Sequence, residues 1–212
     1  MENITVRTLN QNNLDSVVNI HLNAFSDRAL AGLGREAVRR YYEWQLQGPH
    51  NAIALGIFQG EELSGFCFAG VFHGALSGFL QRNKWFLTWR VLTRPWLIAE
   101  PFFRERISLA WNVLWHRSVS VISQVVTLPK KSFGILAIAV DPQTQSTGLG
   151  KRLMAETEKI AIERGFSHLH LTVDINNIQA IAFYQNLGWQ KFLTSDGVWH
   201  GSMVKNLIGF CE

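Results

Sequence analysis

The stretch Ala139-Val140-Asp141-Pro142-Gln143-Thr144-Gln145-Ser146-Thr147-Gly148-Leu149-Gly150-Lys151 decides how the rest of the chain is read. It follows a nearly unbroken apolar run, residues 134–140, that reads as a buried strand, and it opens a helix over about 148–164. A strand that passes through a glycine-containing loop into a helix presents unpaired N–H groups and the positive end of the helix dipole. Gly148 and Gly150 let the backbone approach a ligand closely, and Lys151 and Arg152 add positive charge. That arrangement suits a pyrophosphate. Tight strand–helix packing is the plain alternative for the same glycines. Position 153 is Leu, so the dinucleotide fingerprint G-x-G-x-x-G is absent, and the spacing G-x-x-x-x-G-K-[ST] is absent too.

Working outward, residues 168–174 read as a strand with Leu169, Leu171 and Val173 on one face. Residues 177–186 read as a helix. Residues 189–193 and 198–204 read as short closing strands around the Asp196-Gly197 turn. Upstream, 4–9 alternates as a first strand. Asn12 and Asn13 precede a helix with Leu14, Val17, Val18, His21 and Leu22 on one face, and Gly34 opens a second helix over 35–46. Residues 51–58 and 63–73 form a hairpin about Gln59-Gly60-Glu61-Glu62. The expected architecture is α/β (α+β): a mixed central sheet of about six to seven strands with helices on both faces.

Between the third and fourth strands the composition changes. Residues 79–131 carry five Trp and nine Lys/Arg against two acids, Glu100 and Glu105. Trp85, Trp89 and Leu92 share a helical spacing, as do Ile107, Trp111, Leu114 and Trp115. We read about 78–131 as two or three short amphipathic helices inserted into a single domain spanning 1–212.

The 212 residues hold 47% apolar and 17% charged side chains, enough for a sizeable core and incompatible with wholesale disorder. A net charge of +4 fits an anionic small molecule as well as nucleic acid or a membrane surface. Two cysteines, Cys67 and Cys211, cannot build a disulfide scaffold. The N-terminal residues show no secretory h-region, and no run of about 18 apolar residues appears, so a cytoplasmic location is expected.

The second informative segment is Asn177-x-x-Ala180-x-x-Phe183-Tyr184-x-x-Leu187-Gly188-Trp189. With Gln145-x-x-Gly148-x-Gly150 about 30 residues upstream, it resembles the GNAT superfamily of acyl-CoA N-acyltransferases over roughly 133–193. Trp189 stands where the family usually has Phe. The resemblance implies acetyl-CoA as donor. It implies pantetheine against the backbone of Ile138, Ala139 and Val140, and pyrophosphate in the loop Gln145, Ser146, Thr147, Gly148, Leu149, Gly150 and Lys151. It also implies Asn177, with Ala180 and Phe183 in its motif, beside the pantetheine arm, and Tyr184 near the thioester sulfur. The product would be an N-acetylated primary amine, formed by direct attack without a covalent enzyme intermediate. A backbone N–H near Val140 would hold the oxyanion, and Tyr184 would protonate the departing thiolate.

One family feature is missing. Many relatives carry a Glu early in the fourth strand as general base, and here that position is Gly134. His73 and Asp174 are the candidate replacements, read alternatively as an ordinary strand-end histidine and a cap or loop carboxylate. His168 and His170 share a strand face, but no Cys, His or acid set surrounds them, and no metal is expected. The insert has three readings: a structural layer, a lid with Arg82, Arg90, Arg94 or Arg104 facing an anionic acceptor, or a membrane-surface patch. No nucleic-acid module is present. A Trp-rich exposed layer would also suit a homodimer. The expected partner is a small-molecule amine. The competing readings are an acyl-CoA-binding regulatory or scaffold protein and an enzyme using a longer acyl-CoA.

Overall fold

The computed structural model describes residues 3–26, 28–94, 132–194 and 196–207. Among the described residues seven strands form one sheet: β1 (Ile4–Thr8), β2 (Asn51–Gln59), β3 (Glu62–Val71), β4 (Ser132–Val140), β5 (His168–Thr172), β6 (Gln190–Lys191) and β7 (Ser202–Asn206). Their order is β1-β2-β3-β4-β5-β7-β6. Among the described residues only β4 and β5 pair in parallel, which joins an antiparallel N-terminal half to the rest. The helices are α1 (Leu14–Ala24), α2 (Ala29–Gly32), α3 (Arg35–Gln47), α4 (Ala75–Arg82), α5 (Lys84–Leu92), α6 (Leu149–Glu163) and α7 (Ile178–Asn186).

Strand alternation sends apolar side chains to both sheet faces, and each face is covered by helices whose apolar residues recur at helical spacing. On one face, Leu149, Leu153, Met154 and Ala161 of α6 and Ile181 and Tyr184 of α7 pack on Ile57, Cys67, Phe133, Leu169 and Leu171. On the other, Leu14, Val17 and Val18 of α1 and Val38 and Tyr42 of α3 pack on Phe58, Phe66, Phe68 and Ala139.

Between β3 and β4 the described chain holds α4 and α5, and α4 starts at Ala75, before the expected insert boundary at about 78. Phe79, Leu80 and Leu87 pack against Leu30, Leu33, Tyr41 and Trp44, a third layer outside α2 and α3. Arg90 Nε donates to the Leu33 carbonyl at 2.9 Å and Arg94 Nη1 to that of Gly32 at 3.0 Å. The Arg82 guanidinium lies 6.0 Å from the Trp44 ring centroid. These three arginines therefore join helices to one another, which favours the structural reading of this part of the insert over a lid. Trp85, Trp89 and Leu92 of α5 are exposed. Arg104, Trp96, Trp111, Trp115 and the remainder of the insert lie outside the described residues, as does Cys211. Among the described residues no helix is long and apolar enough to cross a membrane.

Strand ends differ from the sequence reading where side chains or turns take over the backbone bonds. β3 stops at Val71, because the His73 N–H donates to the His50 imidazole at 3.1 Å and Gly74, at φ 66°, turns the chain into α4. β5 stops at Thr172, and Asp174 caps the following turn by accepting from Asn176 N–H at 2.9 Å. β7 starts at Ser202, because Thr194 and Val198 close a local turn between them.

Candidate active site

Two features of β4 build the site. The strand pairs with β3 along most of its length, but the register skips Leu136, which bulges between Ile135 and Ala137. Its pairing with β5 covers only Ser132, Phe133 and Gly134, opposite His168, Leu169 and His170. Beyond the Gly134–His170 pair the two parallel strands part, and residues 135–140 have no ladder partner on the β5 side among the described residues. Backbone N–H and C=O groups so released look for other partners. Ile138, Ala139 and Val140, the expected pantetheine contacts, all lie on this open edge.

The opening ends in the β4–α6 loop. Asp141 accepts from Gln143 N–H at 2.9 Å, and Thr147 Oγ1 donates to the Thr144 carbonyl at 2.6 Å, so the loop's own polar groups hold its shape. Gln145 Nε2 donates to the Val140 carbonyl at 3.2 Å, tying the loop to the strand end. Ser146 takes the left-handed conformation at φ 66°, as does Gly148 at φ 83°. The two expected glycines have different surroundings. A Cβ at Gly148 would meet none of the described residues within 4 Å, whereas one at Gly150 would touch the Phe183 ring at 3.4 Å. Gly148 therefore faces open space at the N-terminus of the fifteen-residue helix α6, and Gly150 faces α7. Gln145, Ser146, Thr147, Lys151 and Arg152 are exposed around that helix start, and Leu149 is buried beneath it.

Asn177 caps α7 by accepting from Ala180 N–H at 3.0 Å, so its side-chain oxygen is engaged by the helix start. Phe183 and Tyr184 follow on that helix. Tyr184 is buried, with ring centroids of Phe183 and Trp189 at 5.3 and 5.7 Å. Burial first, and the neighbouring Cys67 second, push its phenol well above the ordinary value, so the hydroxyl stays protonated. Cys67 itself is buried, accepts from Thr157 Oγ1 at 3.5 Å and is pushed up to about 12 by burial. It is no thiolate nucleophile near neutral pH.

The candidate bases lie at opposite ends of the sheet. Asp174 stands just past β5 at the parted end, where Arg28 Nη1 of the α1–α2 connection donates to it at 2.7 Å. His73 is exposed beyond β3, at the end where β4 and β5 still pair. The structure therefore does not bring His73 and Asp174 together. His168 Nδ1 lies 2.8 Å from Ser167 Oγ. Among the described residues, no three His, Cys, Asp or Glu side chains gather as a metal site.

Sequence reasoning missed Arg28, whose connection carries no motif. It also treated His170 only as half of a histidine pair. The alternation of His168, His170 and Thr172 with buried Leu169, Leu171 and Val173 was the available signal: it puts a polar row on the β5 face that α1 and α3 cover elsewhere.

A family model for the acetyltransferase (GNAT) family matches residues 14–189. The ribosomal-protein-S18-alanine N-acetyltransferase of Escherichia coli shares the fold at TM-score 0.57 and 17% identity, over 99% of this chain and 97% of that one. The PaiA N-acetyltransferase of Thermoplasma acidophilum, crystallised with coenzyme A, shares it at TM-score 0.57 and 15% identity, over 96% of this chain and 99% of that one. A mycothiol acetyltransferase of Kocuria rhizophila is 34% identical over 58 residues, 27% of this chain and 19% of that protein. One of Paenarthrobacter aurescens is 35% identical over 72 residues, 34% of this chain and 22% of that protein. These matches thus span about a fifth of the curated relatives' length. The chain belongs to the acetyltransferase (GNAT) family.

Proposed function

We propose that this protein moves an acetyl group from acetyl-CoA to the primary amine of a small molecule. The observation that carries the reading is the parting of β4 and β5 beyond Gly134 and His170, which leads to a helix start where Gly148 leaves room for a ligand. A narrow chain laid along the open edge would bond the backbone of residues 138–140. A pyrophosphate at its far end would meet the N–H groups of the loop and α6 and the charges of Lys151 and Arg152. The structure of the Thermoplasma relative with coenzyme A supports this choice of ligand.

The donor supplies an electrophilic thioester carbonyl. Backbone N–H groups on the open edge of β4 would stabilise negative charge developing on its oxygen. Tyr184, kept protonated by its surroundings, is the proton donor to the departing sulfur. The amine reaches the carbonyl from the α1–α3 face. Arg28 and Asp174 stand at the parted end of the strands on the approach to it. We place the reaction in the cytoplasm.

Calorimetric titration with acetyl-CoA, followed by CoA release with a panel of primary amines, tests this reading. Binding with amine-dependent release is the expected result. Binding without release from any amine would favour the regulatory alternative. Faster amine-dependent CoA release from a longer acyl-CoA than from acetyl-CoA would show the donor to be longer than acetyl. Absence of binding would overturn the proposal.

A further inference from the structure

Gly134 is the last β4 residue paired with β5, and its partner is His170. A Cβ at Gly134 would stand 2.8 Å from both Cε1 and Nε2 of His170 and 3.3 Å from the Gly70 carbonyl oxygen. The backbone at Gly134 is not in the left-handed region, so its conformation does not demand glycine. What demands it is the imidazole, which fills the space a side chain would occupy. The glycine and the histidine are therefore a matched pair.

The place of this pair in the fold is specific. It marks the point from which β4 and β5 separate, and the Leu136 bulge lies two residues further along β4. His170 projects to the face opposite Leu169 and Leu171, the same face as Gly134, and so away from the α6–α7 side that holds Tyr184. A reacting carbonyl held on the open edge between them would have Tyr184 on one side of the sheet and His170 on the other.

The environment of the ring supports a chemical role. Its Nδ1 is enclosed and, among the described residues, has no hydrogen-bond partner. Burial alone moves the imidazole below its ordinary value of 6.5, with no charged neighbour contributing, so the ring is neutral and has a free electron pair near neutral pH. The nearest titratable group on the same strand face is His168, whose Nδ1 is engaged with Ser167. A buried polar atom left without a partner is costly and points to a function.

We propose that His170 is the general base that takes the proton of the acceptor amine. This inference rests on the acetyl-transfer reading above. The amine nitrogen forms a bond to the thioester carbonyl carbon, and its proton passes to Nε2 of His170. The carbon–sulfur bond then breaks, its electron pair leaves on sulfur, and sulfur takes the Tyr184 proton. The products are the N-acetylated amine and free CoA. The imidazolium and the phenolate return to their resting forms by proton exchange with solvent.

The test uses the full chain, acetyl-CoA and a panel of simple primary amines that includes glucosamine and spermidine. His170→Gln removes the base and keeps a polar side chain of similar reach. We expect kcat/KM for the accepted amine to fall about 10²-fold at neutral pH, within the usual range for lost acid–base catalysis. The calorimetric affinity for acetyl-CoA stays within about twofold, because His170 lies off the loop. The acidic limb of the kcat/KM profile, set by His170, disappears in the variant.

A second pair of variants guards against a folding defect. In His170→Ala the space beside position 134 is vacant, and Gly134→Glu added to it places a carboxylate there. The double variant is expected to regain at least tenfold over His170→Ala, with its acidic limb moved toward the carboxylate range. A merely structural histidine would give neither the rescue nor the moved limb. Wild-type kcat/KM and an unchanged pH profile in His170→Gln, with acetyl-CoA still bound and turned over, would overturn the role of His170 and leave acetyl transfer standing. Failure of the wild-type chain to bind acetyl-CoA would overturn both.

Discussion

Arg28 and Asp174 form an ion pair at 2.7 Å that ties the α1–α2 connection to the parted end of β5, with each side chain about one-third exposed (32% and 30%). Asp174 also accepts from Asn176 N–H, so its two oxygens have assigned partners. A carboxylate held this way fixes the position of the loop that carries Arg28. Arg28→Gln and Asp174→Asn should each raise the amine KM about fivefold with kcat nearly kept, matching the ~1 kcal/mol of a partly exposed pair. The double variant should be no worse than either single one, since the two residues act as a unit. Steady-state kinetics on the three variants checks this. A large kcat loss confined to Asp174→Asn would instead identify the carboxylate as the base.

Tyr184 is held by ring packing against Phe183 and Trp189, and Phe at this position keeps that packing. Tyr184→Phe should lower kcat by about 10²-fold, the lower end of the range for general acid catalysis, because a thiolate leaves tolerably without a proton. Affinity for acetyl-CoA should hardly change. Single-turnover kinetics and calorimetry separate these effects. A loss confined to binding would make Tyr184 a contact of the donor and not its acid.

At Gly148, a side chain would meet open space, so the protein itself offers no clash, and the left-handed backbone is the intrinsic cost. Gly148→Ala should therefore weaken acetyl-CoA about tenfold through strain and ligand contact. Gly148→Asp should weaken it by at least a further tenfold, because a carboxylate would oppose the pyrophosphate charge at the α6 N-terminus. Titration calorimetry at two ionic strengths checks this, with the added loss in Gly148→Asp shrinking at high salt. Equal affinity in both variants would remove the loop from the donor site.

Strands, helices and the position of the loop were legible because apolar periodicity and helix-start glycines are local signals. The run 134–140 could be read as a buried strand, but not its bulge at Leu136 or the end of its pairing at Gly134, since both depend on neighbouring strands. α2 was missed because four residues carry too little periodicity. The strand end at His73 was overrun because a long-range bond to His50 stops the ladder, and sequence spacing carries no record of it. The same limit explains the site. Gln145, Gly148, Asn177 and Tyr184 belong to contiguous motifs, whereas Arg28 with Asp174 and His170 with Gly134 meet only through the folded sheet. Absence of a side chain at Gly134 was visible in the sequence, but the ring that fills its space was not.

His21 places a titratable ring inside the apolar layer between α1 and α3, with Nδ1 2.9 Å from the Tyr42 hydroxyl and Nε2 without a partner among the described residues. Burial moves its pKa from 6.5 down to about 4. Above the unfolded value of 6.5 both states hold a neutral ring, and His21 makes no pH-dependent difference. Between 6.5 and about 4 the unfolded chain binds a proton that the folded chain refuses, so stability must fall as pH drops through that window. At about 1.4 kcal/mol per pKa unit, lowering the pH from 7 to 5 should remove roughly 2 kcal/mol through His21. His50 and His170, both lowered mainly by burial, add a loss of the same sign. Urea unfolding of wild type and His21→Gln at pH 7 and pH 5 isolates the contribution. Glutamine can still reach the Tyr42 hydroxyl but does not titrate, so the variant should lose about 2 kcal/mol less between the two pH values, whatever its stability at pH 7. Parallel losses in the two proteins would mean that the folded state accepts the proton on His21, and that the layer between α1 and α3 admits water.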